Sequence, residues 1–166
     1  MYDVIVIGGG AAGMLASGVA AEHGARVLLI EQNDVLGKKL YITGKGRCNL
    51  TNDCPVDEVL RNIPTGGRFL HSAINGFTPG DTIALFKSLG VALKTERGNR
   101  VFPQSDKSSD IVIALVDYMD KNGVFRKHSR ALGILAENGQ VEAVKSSAGE
   151  IKCGAVILAT GECRTH

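Results

Sequence analysis

The chain opens on an apolar run of strand-forming residues that a cluster of glycines interrupts. Tyr2 to Ile7 reads YDVIVI, and Gly8-Gly9-Gly10-Ala11-Ala12-Gly13 follows it. β-Branched residues favour a buried strand, and the glycines favour a tight turn. The alanine-rich segment from Ala11 to about His23 predicts a helix that Gly24 ends. Arg26 to Ile30 predicts a second buried strand.

The middle of the chain has mostly helical patterns. Four helices are predicted, at 57–62, 69–77, 79–89 and 110–122. Thr78 is expected to cap the third helix, and Ser108 or Ser109 the fourth. Strands at 91–96 and 100–102 flank the turn Arg97-Gly98-Asn99 and predict a hairpin.

The C-terminal part of the chain alternates short apolar runs with tight turns. A third strand, 124–128, is expected to run parallel to the first two. Three short strands are then predicted at 131–135, 141–145 and 151–153. Short turns join them, so residues 130–153 are interpreted as an antiparallel meander. It leads into 154–161, predicted to be a buried strand that ends in Ala159-Thr160-Gly161.

Together these elements predict an α/β fold. It is a Rossmann-like βαβ unit with a parallel sheet, a helical and hairpin insertion at 53–123, and a β-meander crossover. One domain is expected over 1–166, because this length suits a single hydrophobic core.

Composition narrows the class of partner. A net charge of +2 is too small to favour nucleic acid or a membrane surface, and no apolar run could span a bilayer. The four cysteines form no CxxC pair, which argues against a zinc site, and no metal site is predicted. The N-terminus enters a strand directly, without a basic leader, so a cytoplasmic setting is expected.

The first glycines fit the spacing G-x-G-x-x-G and predict a dinucleotide site. Gly8 makes the turn, Gly10 lets a pyrophosphate approach the backbone, and Gly13 lets helix and strand pack closely. The backbone N–H groups of Ala11 and Ala12 extend this site, because a helix N-terminus attracts anions.

An acidic residue ends the second strand, where dinucleotide-binding units bind a ribose. Glu31 is expected to accept hydrogen bonds from the adenosine ribose, and Gln32 to assist near the adenine. The following basic segment places Lys38 and Lys39 beside the expected pyrophosphate. They are predicted to contact phosphate or ribose, the alternative being exposed lysines.

The βαβ unit, the meander and the Ala-Thr-Gly strand end together resemble the two-dinucleotide-binding flavoproteins of the glutathione-reductase type. The resemblance implies that the βαβ unit binds the ADP half of FAD. It also implies that the backbone of Arg130-Ala131-Leu132 meets the adenine, and that Thr160 and Gly161 lie against the cofactor.

Three segments narrow the resemblance further: GKKL at 37–40, TGKGRCNLTN at 43–52 and ERGNRVFP at 96–103. They resemble the BaiN/YhiN-like flavoproteins, also described as aminoacetone-oxidase-like or NAD(FAD)-utilizing dehydrogenases. The family implies FAD as cofactor, with NAD(P)H as a possible transient electron donor. Its members are linked to double-bond reduction, amine oxidation and dihydrouridine formation in ribosomal RNA, so the substrate stays unknown.

The resemblance also implies roles in the TGKGRCNLTN segment. Gly44, Arg47, Cys48 and Asn49 are expected to approach the ribityl chain and isoalloxazine ring, although Cys48 could instead be a buried structural thiol. Arg100 and Phe102 are expected on a hairpin that borders the active site. The alternative is that both side chains serve only in the packing of the hairpin. We interpret His71 and His128 as structural and name no catalytic side chain.

The chain departs from the family pattern after Gly161, where Glu162 to His166 replace the expected Gly-x-Ser-Tyr-Pro. Family members are also longer, so we expect a truncated member whose tail has no defined role. Three functions stay open: an FAD-dependent oxidoreductase that transfers hydride, a non-catalytic FAD- or ADP-binding remnant, and a flavin-dependent RNA-modifying enzyme. The near-neutral charge does not favour RNA.

Overall fold

A computed structural model of the chain describes residues 1–161. The predicted tail at 162–166 lies outside the described residues. The chain forms two compact units: residues 1–40 together with the chain from Leu115 onward, and residues 41–114. Within the described part, no helix is both long and apolar enough to cross a membrane.

Nine strands are found along the described chain. They are β1 (Tyr2–Ile7), β2 (Val27–Glu31), β3 (Thr51–Asn52), β4 (Leu93–Glu96), β5 (Arg100–Pro103), β6 (Phe125–His128), β7 (Ala131–Glu137), β8 (Gln140–Ser146) and β9 (Gly149–Leu158). Five α-helices accompany them, which are α1 (Ala11–Glu22), α2 (Val56–Arg61), α3 (Gly67–Gly76), α4 (Pro79–Ser88) and α5 (Ser108–Lys121).

The first unit contains one sheet in the order β6-β2-β1-β9-β8-β7. Strands β6, β2, β1 and β9 are parallel neighbours, whereas β7, β8 and β9 form an antiparallel meander. The predicted α/β class, parallel sheet and meander crossover are therefore confirmed. Ile5, Val6, Leu29 and Ile30 are buried, as expected of central parallel strands.

Strand β9 corrects two of the predictions for the end of the chain. The expected strands at 151–153 and 154–161 are one continuous strand, β9. Its last part is also not a buried strand, because Ile157 is 36% and Leu158 67% exposed. Beyond Lys152, the edge of β9 that faces away from β1 pairs with no other strand among residues 1–161, so it carries an exposed apolar end.

The second unit holds the other sheet, ordered β3-β5-β4, whose strands β4 and β5 form the predicted hairpin. The TGKGRCNLTN segment and the residues just before it form an irregular helical stretch, Leu40–Gly46, and the short strand β3. Helix α4 begins as predicted. The Thr78 hydroxyl accepts from the Asp81 N–H, and the Asp81 carboxylate accepts from the Thr78 N–H, which makes a capping box.

The start of α5 differs from the prediction. Ser108 and Ser109 were expected to precede the helix as caps, but both lie inside it. The Ser105 hydroxyl instead donates to the Asp110 carboxylate at 2.5 Å and accepts from the Lys107 N–H at 3.2 Å. The hydroxyl that bonds to the start of α5 is therefore that of Ser105, three residues before the helix begins.

Candidate dinucleotide-binding site

The glycine turn after β1 has three different environments. Gly8 has φ +109°, and a Cβ there would lie 2.5 Å from the Ala159 carbonyl oxygen. A Cβ on Gly13 would overlap the Gly8 carbonyl oxygen, so α1 can approach β1 only through glycine. A Cβ on Gly10 would meet no atom within 4 Å. Gly8 and Gly13 are therefore required by packing, whereas Gly10 borders open space.

The start of α1 faces that open space with backbone donors. Its N-cap is Gly10, no side chain caps it, and its first turn has no acidic residue. The Met14 N–H bonds to the Gly10 carbonyl at 2.9 Å, which leaves the N–H groups of Ala11, Ala12 and Gly13 without partners inside the helix. Unpartnered N–H groups and the positive end of the helix dipole favour an anion here.

Glu31, at the end of β2, is turned toward this glycine turn. Its Oε2 accepts from the Gly9 N–H at 2.5 Å, and its Oε1 accepts from the Asn33 N–H at 2.7 Å and the Asn33 amide at 2.6 Å. Partial burial raises the pKa of the carboxyl, but hydrogen bonds from Gly9, Asn33 and Gln32 outweigh it and lower the pKa below its ordinary value. Glu31 is therefore an oriented anion at neutral pH.

The backbone after β2 and β6 is held in place around Glu31. The Gly37 N–H donates to the Gly9 carbonyl at 2.8 Å, so both sides of Gly9 bond to the segment 31–37. The His128 ring nitrogen Nε2 lies 2.9 Å from the Gln32 carbonyl, and the Ser129 N–H donates to the Glu31 carbonyl at 2.9 Å. His128 thus has a structural partner.

A cavity of about 250 Å³ opens beside Glu31 at the carboxyl ends of the parallel strands. Its lining comes from β1, β2, the start of β7 and the end of the chain described: Ile7, Gly8, Ile30, Glu31, Gln32, Asn33, Ser129, Arg130, Ala131 and Thr160. Apolar side chains beside backbone groups and one fixed carboxylate suit a nucleoside. In open α/β sheets, ligands bind at this edge.

Most of the predicted first-unit residues come together at this place. Gly8, Glu31, Gln32, Ala131 and Thr160 line the cavity, and Gly10, Ala11, Ala12 and Gly13 form the adjacent helix start. The Lys39 ammonium lies 3.6 Å from where a Cβ on Gly161 would be, and Lys38 is exposed. Contact of these residues with a cofactor stays a prediction.

Some residues of this site were missed from the sequence. Gly9, Asn33 and Ser129 each bond to Glu31, and Asn33 and Ser129 also line the cavity. A third consecutive glycine and an asparagine two residues after an acid were visible signals for Gly9 and Asn33. No sequence signal pointed to Ser129, because the return of β6 beside β2 places it there. Arg130, expected beside the adenine together with Ala131, also lines the cavity.

The second unit contains the other four predicted residues, Gly44, Arg47, Cys48 and Asn49. The Arg47 guanidinium lies 4.1 Å from the centroid of the buried Phe102 ring and bonds to Glu96 at 2.8 Å. The Asn49 amide donates to the Thr51 carbonyl at 2.8 Å. These polar groups therefore already have partners within their own unit, and their predicted flavin contacts stay predictions.

Cys48 is a buried thiol in a left-handed backbone conformation. It is 1% exposed, and burial raises the pKa of its thiol even though a hydrogen bond with Thr43 opposes this. Its φ is +60°, and Lys45 nearby has φ +59°. The other described non-glycine residues with positive φ are Asn99, Asp106 and Asn138, residue types that tolerate it in turns.

The chain also matches a described protein family. The family described as HI0933-like protein Rossmann domain matches residues 2–165. The chain belongs to the HI0933-like family. The predicted membership in this FAD-dependent flavoprotein group is therefore confirmed, and FAD is its cofactor. The residues described above fit that cofactor, since they combine open space and backbone N–H donors at Gly10 and the start of α1 with an oriented carboxylate and a cavity of about 250 Å³.

Two curated relatives have activities in their names. A ribosomal RNA dihydrouridine synthase of Escherichia coli is 34% identical over 161 residues, which cover 96% of this chain and 39% of that protein. A 3-dehydro-bile acid delta(4,6)-reductase of Clostridium scindens is 36% identical over 114 residues, which cover 68% of this chain and 27% of that protein. The HI0933-like chain thus spans well under half the length of these relatives.

Solved structures confirm the fold. A flavocytochrome c3 fumarate reductase in an open conformation matches with a TM-score of 0.73 at 24% identity, covering 96% of this chain and 33% of that one. The 3-ketosteroid-delta4-(5alpha)-dehydrogenase of Rhodococcus jostii matches with a TM-score of 0.70 at 21% identity, covering 96% and 46%. Identities this low establish the architecture alone.

Proposed function

We propose that this HI0933-like chain is the FAD-binding part of an oxidoreductase that reduces a carbon–carbon double bond. FAD supplies the redox chemistry when bound, and the protein supplies its position and electrostatic environment. NAD(P)H is the proposed electron donor and a cytoplasmic compartment the proposed location. Two relatives support the reaction class, because a dihydrouridine synthase and a delta(4,6)-reductase both carry names that denote saturation of a ring double bond.

One observation carries the cofactor part of this proposal. Glu31 is fixed by the Gly9 N–H at 2.5 Å, at the border between the cavity and the unpartnered N–H groups of α1. A ligand that fits both places carries a nucleoside with ribose hydroxyls next to a diphosphate. The ADP half of FAD has this composition. We assign the pyrophosphate to Gly10, Ala11 and Ala12, and the ribose to Glu31.

A titration of the purified chain tests the cofactor assignment. FAD and ADP should each bind saturably, and ADP should displace FAD, measured by flavin fluorescence and calorimetry. Glu31→Gln should weaken both ligands, since it removes the negative acceptor of the ribose hydroxyls. Glu137→Gln, a change of an exposed acid at the end of β7, is the matched control. Absence of ADP binding by the unmodified chain would refute the assignment.

RNA modification is a second candidate, because the E. coli relative covering 96% of this chain is named for ribosomal RNA. The charge of +2 gives this part of the protein little attraction for polyanions. Retention of ribosomal RNA that falls steeply with salt would favour this candidate. Retention of FAD without RNA would favour a small-molecule substrate.

A further inference from the structure

Asn33 holds the Glu31 carboxylate from outside the glycine turn. Its N–H and its side-chain amide both donate to Oε1, at 2.7 and 2.6 Å, whereas Oε2 accepts from the Gly9 N–H at 2.5 Å. The two oxygens are therefore fixed by different residues, Oε1 by Asn33 and Oε2 by Gly9. A glutamate side chain with three rotatable bonds would otherwise sample several rotamers.

The rest of the segment is anchored without the Asn33 side chain. Gly37 donates to Gly9, and His128 contacts the Gln32 carbonyl. A Cβ on Gly9 would clash with the Leu36 side chain, so the segment packs closely on the glycine turn. Removing the Asn33 amide should consequently leave the path of the backbone intact and remove one of the three hydrogen bonds that orient the carboxylate. This makes Asn33 separable from the folding of the unit.

We infer that Asn33 is a positioning residue that makes the site selective for an intact ribose, by fixing Oε1 of Glu31 so that Oε2 faces the ribose hydroxyls. This inference rests on the proposed function, because it requires the nucleotide to bind beside Glu31. Asn33 itself lines the cavity, but the selectivity it confers acts through the glutamate. Its removal should therefore affect ligands with ribose hydroxyls and spare ligands without them.

The experiment compares ADP with 2′,3′-dideoxy-ADP on the purified chain by calorimetry. The unmodified chain should prefer ADP by roughly tenfold, the scale of one hydrogen bond to a charged group. Asn33→Ala should weaken ADP by roughly threefold to fivefold and leave dideoxy-ADP unchanged. Asn33→Asp keeps the shape but replaces the amide donor by a carboxylate, so it should lose at least as much preference. Asn75→Ala, an exposed asparagine of α3, is the matched control.

Combining the change with Glu31→Ala separates positioning from direct contact, because alanine leaves the Asn33 amide no side chain to hold. If Asn33 acts through Glu31, Asn33→Ala should have no further effect on ADP in the Glu31→Ala background. An equal loss for ADP and dideoxy-ADP, an unchanged preference, or a persistent effect in that background would overturn the inference while leaving FAD binding established. Failure of the unmodified chain to bind ADP at all would instead overturn the proposed function, and the inference with it.

Discussion

The hydroxyl of Tyr118 donates a 2.6 Å hydrogen bond to the Glu22 carboxylate and thereby joins α5 to the end of α1. The same ring lies against Gly18, where a Cβ would overlap it. The tyrosine is buried, and Glu22 is exposed. Helix α1, whose start is the proposed pyrophosphate site, is thus held near its other end by one aromatic side chain.

Tyr118→Phe should lower the free energy of unfolding by about 1 kcal/mol at neutral pH, because it removes this bond while keeping the ring. Burial and the Glu22 carboxylate raise the pKa of Tyr118 to about 12. A raised pKa of an acid means that the neutral folded form is favoured, so stability is complete below about pH 10 and is lost as the pH rises toward about 12. Thermal melts between these values measure the loss.

The phenylalanine variant should lack the alkaline loss that comes from Tyr118. Tyr41→Phe, a partly exposed tyrosine of the second unit, is the matched control and should keep that loss. Identical alkaline profiles for the unmodified chain and Tyr118→Phe would contradict the role assigned to this phenol.

Gly10→Ala and Gly13→Ala should separate ligand binding from packing. A Cβ on Gly10 meets open space and its φ of −78° suits alanine, so the melting temperature should hold while FAD and ADP affinity falls. A Cβ on Gly13 would overlap the Gly8 carbonyl, so this variant should lose about 2 kcal/mol or more of stability. Loss of stability in Gly10→Ala, or none in Gly13→Ala, would contradict the assignment.

Sequence patterns predicted the fold best where an element depends only on residues close to it in the chain. The strand before the glycines, the end of α1 at Gly24 and the capping box at Thr78 all depend on neighbours a few residues away. The exposure of Leu158 could not be predicted, because it depends on which strands lie beside β9. An apolar strand has the same pattern at the edge of a sheet as at its centre.

The candidate site divides in the same way. Glu31 was predictable because the βαβ unit places its second strand end beside the glycine turn. Ser129 was not, since about a hundred residues separate it from β2 and only the pairing of β6 with β2 brings it to the site. Arg47 was predicted as a cofactor contact, but its partners Glu96 and Asp106 are far away in sequence and gave no signal.

Arg47→Met should reduce the acid sensitivity of the second unit. A hydrogen bond from Arg47 lowers the pKa of Glu96, and one from Lys94 lowers the pKa of Asp106. A carboxyl group whose pKa is lowered by folding stabilises the folded chain at any pH above its pKa in the unfolded chain, which is about 4.5 for a glutamate. This stability is lost as the pH falls below that value and through the lower pKa of the folded state. The variant should melt lower than the unmodified chain at neutral pH, and the difference should shrink in acid to the part that comes from the lost contact with the Phe102 ring. Arg61→Met, which removes a bond to a backbone carbonyl, should stay offset at every pH.

Lys45→Gly should be more stable than Lys45→Ala by about 1 kcal/mol. Both variants lose the exposed lysine side chain, but only glycine adopts the left-handed conformation of φ +59° without strain. Glycine relieves a backbone strain of roughly 1–2 kcal/mol. This gain exceeds the roughly 0.4–1 kcal/mol of stability that glycine loses relative to alanine because its unfolded chain has more conformational freedom. Chemical denaturation of both variants measures the difference. Equal midpoints would mean that the segment relaxes when the lysine is replaced, and that the backbone at Lys45 stores no strain.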